Sequence, residues 1–165
     1  MLDLAFRNVA ILDGTGTPAF TGDVGVEGGR IAAVGEAGAA QTDIDGAGMC
    51  LAPGFIDTHA HDDGAFLRYP DMTFKLAQGV TSVVSGNCGF SAVPADPAVD
   101  SARASGGILA GLESGVTDLA SYFDVVLARK PAINNMMLVG HNTVRAITMG
   151  MDKRCLLYTS DAADE

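Results

Sequence analysis

Two histidines stand two residues apart in Gly54-Phe55-Ile56-Asp57-Thr58-His59-Ala60-His61, with Asp62 and Asp63 directly behind them. If residues 55–61 form a strand, Asp57, His59 and His61 share one face, and Ile56, Thr58 and Ala60 share the other, which suits packing under a helix. Two imidazoles on one face can hold a single Zn²⁺ at roughly 2.0–2.1 Å each. The competing reading is a polar strand end. Asp57, deeper on the same face, could orient a ligand or satisfy a buried polar network. Cys88 lies in Ser85-Gly86-Asn87-Cys88-Gly89, where glycines allow close backbone approach. It reads either as a thiolate ligand or as a small buried apolar side chain. His141, at the end of an apolar run, could contact a substrate or sit at a strand–loop junction. Arg145 could bind a carboxylate bidentately or face solvent. Cys50 and Cys155 have no motif around them.

The elements that must position these groups are legible in outline. Residues 2–12 are apolar and β-prone. Gly28-Gly29 between apolar runs over 23–34 marks a hairpin. The first fifty residues therefore read as a small β unit. After Pro53 the expected order is a strand over 55–61, a helix over 71–79 capped by Asp71 and Gly79, and a buried strand over 80–85. A loop with one weak helix covers 91–116. A helix then spans 118–130, with Leu119, Tyr122, Phe123, Val126 and Leu127 on one face and Pro131 as its stop. A last strand covers 136–139. Strands alternating with helices predict a parallel sheet of α/β class, the opening of a (β/α)₈ barrel. A whole barrel needs about 250 residues, so three strands make either a piece of one or a smaller open sheet.

Composition narrows the function classes. At 48% hydrophobic and 18% charged residues the chain is globular. A net charge of −10 with no Lys/Arg run argues against nucleic acid and anionic membranes as partners. No apolar stretch approaches the roughly 20 residues of a membrane span. Three widely spaced cysteines are no disulfide framework, which makes a reducing cytoplasm the expected location.

Two stretches together carry a resemblance. Asp23-Val24-x-Val26-x-Gly28-Gly29-Arg30-Ile31-x-x-Val34-Gly35, followed by Pro53-Gly54-Phe55-Ile56-Asp57-x-His59-x-His61, resembles the amidohydrolase superfamily. His59-Ala60-His61-Asp62-Asp63, the run from Gly79 through Asn87-Cys88-Gly89, and Leu138-Val139-Gly140-His141-Asn142-Thr143-Val144-Arg145 look more narrowly like N-acyl-D-amino-acid deacylases, the D-aminoacylases. The resemblance runs from residue 2 to about 154. It implies a small β domain begun by residues 1–52, a (β/α)₈ barrel begun by residues 53–154, and zinc held by His59, His61 and Cys88, with one ion tightly bound. Asp57, Asp63, His141 and Arg145 stand as supporting or substrate-contacting candidates, and the resemblance implies a small N-acyl-amino-acid substrate. The family's catalytic Asp and further His ligands come from later strands and have no counterpart here, so no catalytic residue is assigned and an inactive chain is expected. Residues 155–165 do not match the family's continuation and read as a truncation or frame change. Two alternatives remain: a cyclic-amide hydrolase of the dihydroorotase or hydantoinase kind, which needs a bridging Lys that Lys75, Lys130 and Lys153 are poorly placed to supply, and a non-catalytic metal-binding piece.

Overall fold

The apolar N-terminal residues pair into a five-stranded sheet. In the computed structural model, which describes residues 1–96, 115–150 and 152–153, the chain divides into two units, Met1–Pro53 and Gly54–Glu165. The first unit holds β1 (Leu2–Ile11), β2 (Phe20–Glu27), β3 (Arg30–Gly35), β4 (Ala40–Asp45) and β5 (Cys50–Leu51). Strand order is β3-β2-β1-β4, with β5 also pairing β1. The hairpin between β2 and β3 turns on Gly28 and Gly29, both at positive φ (58° and 73°), as a two-residue hairpin loop requires. Val9, Ile11 and Val24 form the small core of this unit. Where β1 slips register against β2, Arg7 bonds Asp23 at 2.9 Å, Asp43 at 2.7 Å and the carbonyls of Ala37 and Gly38.

The second unit is built on three parallel strands in the order β6-β7-β8: β6 (Phe55–Asp57), β7 (Val80–Ser85) and β8 (Asn134–Met137). Its helices are α1 (Ala65–Arg68), α2 (Thr73–Leu76), α3 (Leu119–Ala128) and α4 (His141–Met149). Val83 of β7 joins Phe66, Leu67, Met72, Tyr122 and Val126 in the core. Asp118 caps α3 through a capping box with Ser121.

Several sequence expectations shift. The strand expected over 55–61 stops at Asp57. Ile56, expected under a helix, is 64% exposed and Asp57 is half-buried against Lys75 of α2, whereas Ala60 is buried in the core as expected. Alternation separates the two faces without saying which one the helices cover. The helix expected over 71–79 is the single turn α2, preceded by α1, and Met72 rather than Asp71 stands at its start. Met72 is fully buried, so core packing decides the entry and a side-chain cap does not. Gly79 ends the turn at φ 78°. The last strand lies two residues earlier than expected, because Asn134 bonds Thr81 O and Ser82 Oγ and Asn135 bonds the Tyr122 hydroxyl. On α3, Leu127 is exposed while Phe123 and Val125 pack against the core. The weak helix expected within 91–116 falls mostly outside the described residues, as do Cys155 and the tail.

The anchoring carboxylates give a pH signature. Asp23 is held below the ordinary carboxylate value, first by the Asn8 N–H and then by Arg7. Asp118 is held low by the Ser121 N–H and hydroxyl. A depressed folded value means the stabilisation is whole above the unfolded value, near pH 4, and is lost as pH falls through the folded value. Thermal melts should therefore be flat from about pH 7 to 5 and fall steeply below about pH 4. A melting temperature unchanged at pH 2.5 contradicts this.

Candidate metal centre

Beyond Asp57 the chain leaves the sheet, and its own polar groups hold the turn. The His59 N–H donates to Asp57 Oδ1 at 3.1 Å, and the Ala60 N–H donates to the Val84 carbonyl at 3.1 Å. His59-Ala60-His61 thus runs beside the C-terminal end of β7, where ligand sites of parallel sheets form. From that end β7 continues into Gly86-Asn87-Cys88-Gly89. Asn87 ties this loop down by donating to Val84 O (2.8 Å) and Ala60 O (3.3 Å). Gly86 has φ 76°, and a Cβ there would lie 2.0 Å from the Leu138 carbonyl oxygen, so only glycine lets the loop lie so close to the segment after β8. Cys88 itself adopts φ 55° and is exposed.

The two segments bring three donors together. Cys88 Sγ lies 3.1 Å from His59 Nε2, and the ligand atoms of His59, His61 and Cys88 are all within 4.8 Å of one another. The two imidazoles meet edge to face, with centroids 5.7 Å apart. His61 Nδ1 is buried with no hydrogen-bond partner among the described residues. Two nitrogens and one sulfur match the donors zinc prefers, and donors on one tetrahedral zinc stand about 3.5 Å apart, a small closure from this arrangement. The orphaned imidazole nitrogen and the donor chemistry therefore both fit a bound zinc ion.

The surrounding carboxylates are already engaged. Lys75 Nζ lies 2.7 Å from Asp57 Oδ2 and 2.8 Å from Asp62 Oδ2. Asp57 is pushed below the ordinary carboxylate value by the Lys75 ammonium and then by the His59 N–H. Burial alone would lower Lys75, but its bonds to Asp57 and Asp62 outweigh that and raise it. Asp63 is fully buried and bonds backbone N–H groups. Its oxygens accept from Ala92 N (2.9 Å) and Gly86 N (3.3 Å), and its carbonyl accepts from the Tyr122 hydroxyl at 2.8 Å. Burial, followed by the charge of Asp63, drives the Tyr122 phenol above its ordinary value.

Two further candidates are not among the three clustered donors. His141, expected to end a strand, is the exposed first residue of α4. Arg145 donates to Met149 Sδ and to the Asp152 carbonyl at 2.9 Å, which turns its guanidinium onto the end of its own helix. Sequence reasoning missed the roles of Asn87, Lys75, Ser91 and Thr143. The Ser91 and Thr143 pair is buried: Ser91 N–H donates to Thr143 Oγ1 at 2.9 Å, and Gly140 N–H donates to Ser91 Oγ at 2.9 Å, which locks the chain after Cys88 onto α4. Asn87 could have been suspected from its place between Gly86 and Cys88. The others carry no sequence signal.

Known proteins resemble this chain in sequence and fold. A family model described as the amidohydrolase family matches residues 43–149. An N-acyl-D-glutamate deacylase of Alcaligenes xylosoxydans xylosoxydans is 44% identical over 150 residues, covering 90% of this chain and 30% of the relative. A D-aminoacylase of the same organism is 43% identical over 153 residues, covering 89% and 31%. The chain thus spans about a third of the length of these relatives. Among solved structures, the N-acyl-D-glutamate deacylase of Bordetella bronchiseptica, complexed with zinc and a phosphonate mimic of the tetrahedral intermediate, superposes with TM-score 0.84 at 41% identity, covering 96% of this chain and 34% of that one. A D-aminoacylase studied for its binuclear metal centre superposes with TM-score 0.82 at 39% identity, covering 97% and 34%.

Proposed function

The chain belongs to the amidohydrolase family, and we propose on that basis that it is the metal-binding opening segment of a zinc-dependent deacylase acting on N-acyl-D-amino acids. The observation that carries this reading is the convergence of His59, His61 and Cys88 within 4.8 Å at the C-terminal end of a parallel sheet. The similarity to deacylases over about nine-tenths of the chain supports the substrate class. On this reading residues 1–52 open a small β domain, and β6, β7 and β8 are the first strands of a (β/α)₈ barrel. The uncovered sheet face, with Ile56 and Met136 both more than 60% exposed, is the side the remaining strands would enclose.

Each residue then has a task. His59 and His61 offer imidazole lone pairs, and Cys88 offers a thiolate whose negative charge matches a divalent cation. Bound zinc supplies Lewis-acid chemistry, polarising an amide carbonyl and acidifying water. Hydrolysis also needs a carboxylate free to move a proton to the leaving amine. Asp57 and Asp62 are tied to Lys75, and Asp63 is buried against backbone N–H groups, so none of these three is free for that work.

The reading predicts metal binding without turnover. Purified chain dialysed against zinc should retain about one ion per chain. It should release no D-amino acid from N-acetyl-D-glutamate or N-acetyl-D-methionine above the zinc-only rate. Absence of bound zinc in folded protein would falsify the metal site, and zinc-dependent turnover would mean that a carboxylate other than Asp57, Asp62 and Asp63 moves the proton.

A further inference from the structure

Lys75 comes from a one-turn helix, yet its ammonium sits between two carboxylates that bracket the histidine pair in sequence. We propose that Lys75 is a positioning residue for the metal site, fixing both ends of the segment that presents His59 and His61. This rests on the zinc reading above.

The connections run in both directions along that segment. Upstream, Asp57 holds Lys75 with one oxygen at 2.7 Å and the His59 N–H with the other at 3.1 Å. Downstream, Asp62 follows His61 directly. Its carboxylate pairs with the Lys75 charge at 2.8 Å without hydrogen-bond geometry, and its carbonyl accepts from Ala65 N (2.8 Å) and Phe66 N (3.3 Å) at the start of α1. Lys75 is itself held in place, since its N–H donates to the carbonyl of Met72, which is fully buried in the core. One cation therefore sets where the His59-Ala60-His61 backbone begins and ends. The site is shielded, with the three side chains only 17–30% exposed, so the pairs are screened less than surface pairs.

Two effects oppose each other when the ammonium is removed. Two uncompensated carboxylates add negative charge near the cation site, which alone would tighten metal binding. They also repel each other within a half-buried pocket, which splays the segment and its imidazoles. Supporting residues of this kind typically contribute ten- to a hundredfold to metal affinity. Misplacement should win, because donor geometry acts at bonding distance while the extra charge can be screened by salt.

The test is cobalt(II) and zinc titration of the purified full chain. The thiolate-to-cobalt absorption band reports site geometry, chelator competition gives Kd, and melts of metal-free protein report the fold. Lys75→Met is expected to weaken binding by about ten- to a hundredfold with the band retained at saturating metal. Lys75→Arg, which keeps the charge, is expected to recover part of that loss. Asp62→Asn, which leaves the Lys75–Asp57 pair intact, should cost a few-fold and carries the test should Lys75→Met fail to melt cooperatively. Unchanged or tighter binding in Lys75→Met, or in Asp62→Asn if that variant carries the test, overturns the proposal. A lower melting temperature with unchanged Kd likewise assigns Lys75 a purely structural role and overturns it. Wild-type chain that gives no thiolate–cobalt band sinks the zinc reading itself, an outcome distinct from any result on the variants.

Discussion

Cys88→Ala is expected to weaken zinc binding by at least about a hundredfold and to abolish the thiolate-to-cobalt band, with little change in the fold. Cys88 Sγ lies 3.1 Å from His59 Nε2 at an exposed loop tip, so no core packing is lost with it. The remaining donors, His59 and His61, are two neutral imidazoles. They lack the negative charge that makes a thiolate a strong ligand, and two protein ligands fall short of the three that even an open catalytic zinc site has. The variant also separates two chemistries. A cyclic-amide hydrolase that bridges its metals with a lysine would be indifferent to Cys88. Lys75 is the lysine nearest the trio in sequence, and it is engaged by Asp57 and Asp62. Zinc affinity within threefold of wild type in Cys88→Ala would therefore transfer the site to another ligand set. Lys75→Met differs in keeping the band while shifting the midpoint, so the two variants report ligation and positioning separately.

The sequence carried the trio better than the scaffold around it. His59, His61 and Cys88 stood out because imidazole spacing and a cysteine among glycines are local features. The register of β7 was equally local, since Val80-Thr81-Ser82-Val83-Val84 is a β-branched run that begins and ends where expected. What failed was decided at a distance. Ile56 looked like a residue packed under a helix and is open, because the placement of helices on a sheet depends on later chain. His141 looked like a strand end and starts α4, because Asn134 and Asn135 pull β8 two residues forward through contacts with Thr81, Ser82 and Tyr122. Arg145 looked able to grip a carboxylate, but its partners are a Met149 sulfur and the Asp152 carbonyl on the same end of its own helix. No pattern of residue types encodes that Lys75 meets Asp57 and Asp62, since the three come from a strand end, a turn and a separate helical turn.

Asp63 was a supporting or substrate-contacting candidate, and its replacement should have the largest effect on stability. It stands two residues on from the His59-Ala60-His61 segment. It is fully buried, and its two oxygens are the acceptors for the N–H groups of Gly86 and Ala92, on either side of the loop that carries Cys88. Asp63→Ala removes both acceptors and leaves two buried N–H groups unpaired, each costing about 1–3 kcal/mol. The summed loss, about 2–6 kcal/mol, is a large part of the stability of a domain of this size. Melting should drop by well over about 10 °C. Asp63→Asn is expected to fall between wild type and Asp63→Ala, because its amide keeps one acceptor but turns an NH₂ toward a backbone N–H. A melt within about 2 °C of wild type for Asp63→Ala would mean that water replaces the carboxylate, and that the loop does not depend on it. If the loss appears, hydrogen exchange should quicken at Gly86 and Ala92 before it quickens in β7. The geometry of the metal site would then be traced to a carboxylate that never touches the metal, acting on Cys88 through the backbone on both sides of it.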